Sequence, residues 1–275
     1  MRKGLVLLSL ILSIQSTWAQ DIELRGAAAP GGLMIGKVDV NTEVIFKDQS
    51  LPKTPQGYVV FGFGRDDTGV HRLILRSKDG QERVQEIELA AREYDIDRVE
   101  GVPQETVTPD PQQVQRAREE AERVWLARNQ TSTRTDFLTP LQMPAEGRIS
   151  GVYGSQRIFN GTPRNPHYGL DIAAPTGSPV TAPWSGQVIF ADADLFYSGG
   201  TLILDHGYGV TSTYIHLHKL HVEVGDIVQQ GEFIAEIGAT GRVTGPHLDW
   251  RLNWGQERLD PALALEHFKE SATSF

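Results

Sequence analysis

The 275-residue sequence contains no cysteine. This absence excludes a disulfide framework, a thiol nucleophile and lipid attachment at a cysteine. Basic residues are also in deficit, because 26 Lys and Arg face 35 Asp and Glu for a formal net charge of −9. No basic field is available to neutralise phosphates, so we expect no general binding of nucleic acid.

Long apolar runs are absent except at the N-terminus. Arg2 and Lys3 precede the apolar run 5–14, and Thr17 and Ala19 supply small residues at the −3 and −1 positions of a cleavage site. This pattern predicts a secretory signal peptide over residues 1–19, and the alternative is a retained anchor helix. We therefore expect an exported protein, periplasmic or secreted, with no membrane span after cleavage.

Residues 20–97 are typical of short strands and turns. Segments 38–44, 58–63, 71–75 and 83–89 each carry the β-branched or alternating apolar pattern of a strand, and Lys78-Asp79-Gly80 is typical of a turn. Several short strands at this spacing predict a small accessory domain resembling a β-sandwich. The segment contains no cluster of nucleophiles, bases or metal ligands, so a binding or spacing role is expected.

Residues 98–139 have the composition of a linker that contains one helix. Asp110, Pro111 and Gln113 match an N-cap, a proline at N1 and a glutamine at N3. The apolar spacing that follows predicts a helix of about 18 residues with one modest apolar stripe. Its charged side chains are most simply a solvated face, and the alternative is a protein partner that binds through residues 20–130.

The segment 140–275 returns to a strand pattern broken by glycine. Strands are predicted within 180–190, 201–205, 210–216 and 232–237, and a short helix is predicted over 261–268. The predicted fold class is mainly β, with an N-terminal small β-sandwich-like domain, a helical linker and a C-terminal antiparallel β domain.

A dispersed set of polar residues lies in this C-terminal half. His167 and Asp171 occur in H-Y-G-L-D, His216 ends an apolar strand, and His247 and Asp249 form H-L-D. Histidine and carboxylate ligands with one open position are typical of catalytic zinc. His247 and Asp249 are two apart, so their side chains should leave the same face of a strand.

The first pair requires a bend. Residues four apart on a straight strand are separated by about 13 Å, so His167 and Asp171 share a metal only if the chain turns between them, which Gly169 permits.

Two other histidines are near these motifs and need a separate interpretation. His218 shares a predicted strand face with His216 and is a competing ligand, whereas His206 is expected in a turn.

The order of these motifs resembles the lysostaphin-type (LytM-like) zinc endopeptidases over about residues 147–263. The resemblance is carried by Gly154-Ser155, 167–175, 180–183, 205–209, 214–217, 224–228 and 238–248. It implies a compact antiparallel β domain with a narrow groove, which cuts peptide cross-bridges of bacterial cell-wall peptidoglycan. It also implies that His167 and Asp171 bind one Zn²⁺ and that His216 and His247 are catalytic; no other cofactor is implied.

The sequence departs from this family at the third ligand. The family ends with H-L-H, where the second histidine binds zinc, but this chain has Asp249 at that position. Aspartate is itself a zinc ligand, so the expected metal set is His167, Asp171 and Asp249. Two carboxylates would leave Zn²⁺ formally neutral, which raises the pKa of its bound water and makes Mn²⁺ or another divalent metal a reasonable substitute.

Two functions from different classes follow. The first is an exported metal-dependent endopeptidase that cleaves peptidoglycan cross-bridges. The alternative is a catalytically degenerate domain that binds peptidoglycan or activates another wall hydrolase. A glycosidase would need paired acid and base carboxylates around a groove, and the sequence offers no distinguishable pair.

Overall fold

The computed structural model describes residues 22–99, 111–159 and 161–269. The predicted signal peptide and residues 100–110 of the predicted linker lie outside these ranges. No helix within the described residues is long and apolar enough to cross a membrane.

The N-terminal part forms two antiparallel sheets. Their strands are β1 Glu23–Gly26, β2 Leu33–Lys37, β3 Glu43–Phe46, β4 Gln49–Ser50, β5 Tyr58–Gly62, β6 Val70–Arg76 and β7 Glu82–Glu88. One sheet has the order β1-β2-β5 and the other the order β4-β3-β6-β7. The strands predicted over 58–63, 71–75 and 83–89 are confirmed within a residue or two. The one predicted over 38–44 is wrong, because residues 38–42 form the connection between β2 and β3.

The C-terminal part is built around a ten-stranded antiparallel sheet, and this confirms the mainly β fold class. The remaining strands of the chain are β8 Ile96–Val99, β9 Arg148–Gly151, β10 Gln156–Phe159, β11 Thr162–Pro163, β12 Leu170–Ala173, β13 Pro179–Thr181, β14 Gly186–Leu195, β15 Gly199–Gly207, β16 Val210–Leu220, β17 Ile227–Val228, β18 Phe233–Ile237, β19 His247–Trp254 and β20 Glu257–Leu259. The middle of the large sheet has the order β14-β15-β16-β19-β12-β9.

Strand β19 shows how the large sheet separates a core face from a polar face. Leu248, Trp250 and Leu252 are fully buried in the main apolar core, whereas His247 and Asp249 point to the opposite face. The alternation follows from the period of two in a β-strand. The polar side chains of the candidate site therefore share one face of the sheet.

Two helices flank the sheet. Helix α1, Pro111–Arg128, has the 18 residues expected from its start signal. Its Val124 and Ala127 pack on Phe190 and Ile203, which belong to strands of the large sheet. Helix α2, Pro261–His267, begins where the side chain of its N-cap Asp260 accepts a hydrogen bond from the backbone N–H of Ala262. A short 3-10 helix, Asp136–Leu138, interrupts the predicted loop 129–139.

The N-terminal and C-terminal parts are joined by main-chain pairing as well as by side chains. Strand β8 runs parallel to β10, in a three-stranded sheet with β11. Leu33, Ile35 and Val60 of the N-terminal sheet are buried in the same apolar cluster as Trp250 of the large sheet. The domain limit at residue 97 stays a prediction, and a strand that begins at Ile96 crosses it.

Candidate metal site on the polar face of the large sheet

The predicted ligands His167, Asp171 and Asp249 come together on this face. One potential ligand atom of each residue lies within 4.8 Å of those of the other two. Asp171 of β12 and Asp249 of β19 are direct cross-strand partners, so their side chains leave the sheet side by side. His167 lies just before β12, outside the strand. The large separation expected for His167 and Asp171 along a straight strand therefore does not apply.

The closest approach joins His167 and Asp171. The Nε2 atom of His167 lies 3.2 Å from Oδ1 of Asp171, yet both atoms are buried and neither has a hydrogen-bond partner among the described residues. Two ligands of one zinc at about 2.0–2.2 Å would be separated by roughly this distance in a tetrahedron. Buried polar atoms are normally paired, so this pair of atoms is suited to share a cation.

Two glycines make room for the two carboxylates. A Cβ added to Gly151 would overlap Oδ2 of Asp171, and one added to Gly169 would overlap Oδ1 of Asp249. The sequence predicts that Gly169 permits a bend of the chain between His167 and Asp171. Its backbone does not have a positive φ, so the close approach of Asp249 is what requires glycine there.

The third predicted ligand is already engaged by a residue that sequence reasoning missed. Arg251 donates from Nε to Oδ1 of Asp249 at 2.9 Å and from Nη2 to Oδ2 at 2.5 Å. Burial by itself would raise the pKa of Asp249, but the guanidinium outweighs burial and lowers this pKa to about 2. Its nearest contact with His167 is the 4.0 Å between Oδ2 and Nδ1. Asp249 thus lies farther from His167 than Asp171 does, and both of its oxygens already accept hydrogen bonds.

Histidines 216 and 247 lie beside this cluster. Their ring centres are 4.9 Å apart, and Nε2 of His247 is 3.9 Å from Oδ1 of Asp171. In each ring, Nδ1 lies 2.9 Å from a backbone carbonyl, that of Thr240 for His216 and that of Gly245 for His247. Because a carbonyl only accepts, Nδ1 carries the proton, and Nε2 keeps its lone pair in the neutral ring.

His216 also has an unusual backbone. Its φ of 67° is in the left-handed region, at an irregularity in the pairing of β16. Such a conformation in a non-glycine residue costs about 1–3 kcal/mol and persists only where the surroundings impose it. Burial lowers the pKa of His216, which favours the neutral ring at neutral pH.

A second irregularity, in the pairing of β16 with β18, turns the competing ligand away from the site. Residues 216 and 218 would share a face on a regular strand, but the register of β16 shifts between Leu217 and Lys219, and His218 is exposed to solvent. His206 was expected in a turn, and that prediction is wrong. It lies within β15, fully buried, with Nε2 2.7 Å from the hydroxyl oxygen of Ser212.

Segment 153–155 fixes the backbone of His167 and connects it to the N-terminal part. The N–H of Gly154 donates to the carbonyl of His167 at 2.8 Å, and the N–H of His167 donates to the carbonyl of Ser155 at 2.8 Å. Arg65 donates to the carbonyl of Gly154 from Nε at 3.0 Å and from Nη2 at 2.8 Å. The ring of Tyr94 lies where a side chain at position 154 would be.

Comparison with known proteins finds a family match over the part of the chain that holds this site. The model of peptidase family M23 matches residues 165–261. Two relatives from Vibrio cholerae serotype O1 are the peptidoglycan DD-endopeptidases ShyB, 41% identical over 87 residues, and ShyA, 39% identical over 106 residues. These matches cover 32% and 38% of this chain but only 20% and 24% of the relatives, so the chain spans about a quarter or less of their length.

A solved structure extends the likeness to most of the chain. It is a Pseudomonas aeruginosa protein, solved as a candidate peptidase M23, with a TM-score of 0.65 and 25% sequence identity. The match covers 89% of this chain and 96% of that one. All five predicted site residues lie within residues 165–261, the part of the chain that the model of peptidase family M23 matches.

Proposed function

We propose that this protein is an exported, metal-dependent endopeptidase that cleaves peptide cross-bridges of bacterial peptidoglycan. The relatives named as peptidoglycan DD-endopeptidases support the substrate class. The metal dependence rests on one observation. Nε2 of His167 and Oδ1 of Asp171 are buried 3.2 Å apart, and neither atom has a hydrogen-bond partner among the described residues. In this proposal His167, Asp171 and Asp249 hold one Zn²⁺, or another divalent metal such as Mn²⁺.

The chemistry divides between the metal ligands and the two histidines. A bound Zn²⁺ would polarise a peptide carbonyl and lower the pKa of water at its open position. Nδ1 of His216 and of His247 faces a carbonyl, so Nε2 is the atom of each ring left for proton transfer. One Nε2 accepts a proton from water, and the other stabilises the developing oxyanion once it is itself protonated. The resemblance implies both roles for this pair of histidines, but it does not say which histidine has which role.

Arg251 changes the charge argument that the sequence suggested. Two carboxylate ligands alone would leave a divalent metal formally neutral. Because the Arg251 guanidinium donates to both oxygens of the buried Asp249, its positive charge belongs to the site and brings the total to +1. A total of +1 is what a set of two histidines and one aspartate would give, so the weaker Lewis acid expected from the sequence is partly offset.

The second candidate function is a metal-free domain that binds peptidoglycan or activates another hydrolase. It is favoured by the same ion pair, because Arg251 occupies both oxygens of Asp249. Burial would lower the pKa of His167, but the neighbouring Asp171 and Asp249 outweigh burial and raise it. A protonated His167 would then balance Asp171, and the cluster would be neutral without a metal.

Metal content separates the two functions. Protein purified without chelator should contain one equivalent of metal and should digest isolated peptidoglycan. His167→Ala and Asp171→Ala should each lose the metal, because removing one of three protein ligands leaves an incomplete site. His218→Ala is the matched control, since this histidine is exposed and lies outside the cluster. Elemental analysis and release of soluble peptidoglycan fragments are the measurements.

Each outcome contradicts a different part of the proposal. Full metal content in both His167→Ala and Asp171→Ala means that the proposed ligands are wrong. Wild-type protein that contains no metal and releases no fragments, yet sediments with insoluble peptidoglycan, supports the second function.

A further inference from the structure

The strained backbone of His216 lies in a β-bulge between β15 and β16. The register shifts between the pair Gly200 and Leu217 and the pair Leu202 and Tyr214. One residue of β15 therefore faces two residues of β16, and one of these two is His216, whose φ is 67°. A bulge bends its strand and turns a side chain in a new direction. The contacts that hold this bulge therefore decide where the ring of His216 points.

The hydroxyl of Thr240 joins the two strands at the bulge. Its Oγ1 accepts a hydrogen bond from the N–H of Gly200 at 2.9 Å and donates one to the carbonyl of Leu217 at 2.8 Å. A hydroxyl has one proton and two lone pairs, so both bonds form at once. Gly200 and Leu217 are direct cross-strand partners, and Leu217 follows His216 in the chain. The hydroxyl thus fixes the separation of the strands where the register changes.

The connection between β14 and β15 is built around this hydroxyl. Gly199 has a φ of 61°, and a Cβ added to it would overlap Oγ1 and the carbonyl carbon of Thr240. The residue before it, Ser198, accepts a hydrogen bond at its carbonyl from the backbone N–H of His216 at 2.8 Å. The same connection therefore contacts the side chain of Thr240 and the backbone of His216.

The main chain of Thr240 contacts the ring of the same histidine. Its carbonyl oxygen lies 2.9 Å from Nδ1 of His216. Because a carbonyl only accepts, it keeps the ring proton on Nδ1 and leaves Nε2 as the atom for proton transfer. Two residues earlier, the carbonyl of Gly238 accepts a hydrogen bond from the backbone N–H of His247 at 3.1 Å. Segment 238–240 therefore contacts both histidines of the site.

We infer that Thr240 is a positioning residue that acts through His216. The inference rests on the proposed function, in which His216 takes part in peptide cleavage. The hydroxyl holds the bulge, and with it the left-handed backbone of His216, and it fixes the Thr240 carbonyl against Nδ1. Without the hydroxyl, the N–H of Gly200 and the carbonyl of Leu217 lose their bridge, and the ring loses its fixed tautomer. A displacement of about 1 Å at a catalytic group costs about 10²-fold in rate.

The tautomer of His216 tests this inference without substrate. Thr240→Val keeps the branched shape of threonine but has no hydroxyl. Long-range proton–nitrogen NMR spectra at about pH 8, where a histidine ring is neutral, distinguish a proton on Nδ1 from one on Nε2. Wild type should carry the His216 proton on Nδ1 alone, whereas Thr240→Val should show a mixture of the two tautomers. The signals of His216 are identified by their loss in His216→Asn.

Cleavage kinetics measure the consequence for the reaction. On soluble cross-linked muropeptides, Thr240→Val should lower kcat by about 10- to 100-fold with little change in KM, because His216 acts on the transition state. Thr240→Ser keeps the hydroxyl and should restore both the single tautomer and the rate. Thr211→Val is the matched control and should change neither. Thr211 is a buried threonine on the same strand as His216, and its hydroxyl has no partner among the described residues.

Each outcome decides the inference. A single Nδ1 tautomer in Thr240→Val overturns it even if cleavage slows, and mixed tautomers with an unchanged kcat overturn it as well. A Thr240→Ser variant as impaired as Thr240→Val also overturns it, since the effect then does not come from the hydroxyl. Thr240→Ala lacks the same hydroxyl and takes the place of Thr240→Val if the valine variant does not fold. If wild type cleaves nothing, the proposed function fails, and the tautomers alone decide whether Thr240 positions His216.

Discussion

Replacing either His216 or His247 with alanine should lower the rate of peptidoglycan cleavage by about 10²–10⁴ without loss of metal. The two rings lie together, and Nε2 of His247 is 3.9 Å from Oδ1 of Asp171. The removal of either ring takes away a proton acceptor or, once its Nε2 is protonated, a donor to the oxyanion. The rate is measured as released soluble fragments at saturating metal, and the metal content is determined on the same preparation.

Two controls make this result specific. His218→Ala removes an exposed histidine from the same strand as His216 and should leave the rate unchanged. His216→Asn tests the strained backbone separately, because asparagine tolerates the left-handed region but supplies no base. Loss of metal together with activity would make these histidines ligands, and unchanged cleavage in both alanine variants would remove their proposed role.

The second large effect is expected at the Asp249–Arg251 pair. Arg251→Met should destabilise the protein by about 3–5 kcal/mol, because it leaves the Asp249 carboxylate buried without its partner. Asp249→His alone should be destabilised for the converse reason, since the Arg251 guanidinium then loses its counter-charge. The double variant Asp249→His/Arg251→Met should recover much of this loss. Equilibrium denaturation in urea gives the free energies of unfolding.

The pH dependence of stability follows from the same pair. The pKa of Asp249 is about 2 in the folded protein and about 3.9 in an unfolded chain. Its contribution to stability is therefore present above about pH 4 and is lost as the pH falls toward 2. Wild type should show this acid loss, and the double variant should not.

The double variant also decides between the two proposed functions. If Asp249 binds the metal, wild type and the double variant should both contain one equivalent. Should wild type contain none while the double variant gains both metal and cleavage, the native domain has lost its catalytic role. A double variant that folds but remains inert beside a metal-free wild type would mean that more than the third ligand was lost.

Sequence patterns predicted what depends on local spacing. The start of helix α1 at Pro111, the strands of the C-terminal sheet and the shared face of His247 and Asp249 all follow from caps and from the period of two. The same period places Arg251 on the face of Asp249. The motif D-W-R therefore indicates the ion pair, but arginine is not a metal ligand and so was not among the residues predicted for the site.

Other features depend on contacts between distant segments. Nothing local to His218 indicates the register shift that turns it away from His216, because the shift is made by pairing with β15 and β18. His206 follows the pattern D-H-G of a turn, but the long hairpin of β15 and β16 extends past it and buries it. Parallel pairing of β8 with β10 joins residues about 60 positions apart, and no local pattern specifies such a partner.

The parallel pairing of β8 with β10 would hold the molecule together after a single cut in the backbone. If the backbone were cut once between residues 99 and 111, the two pieces would still be joined by β8 and β10, by the hydrogen bonds of Arg65 to Gly154 and by a common apolar core. A nicked protein would behave as a non-covalent heterodimer and would separate only on unfolding. The backbone of His167, which is hydrogen-bonded to segment 153–155, would keep its support from the other piece.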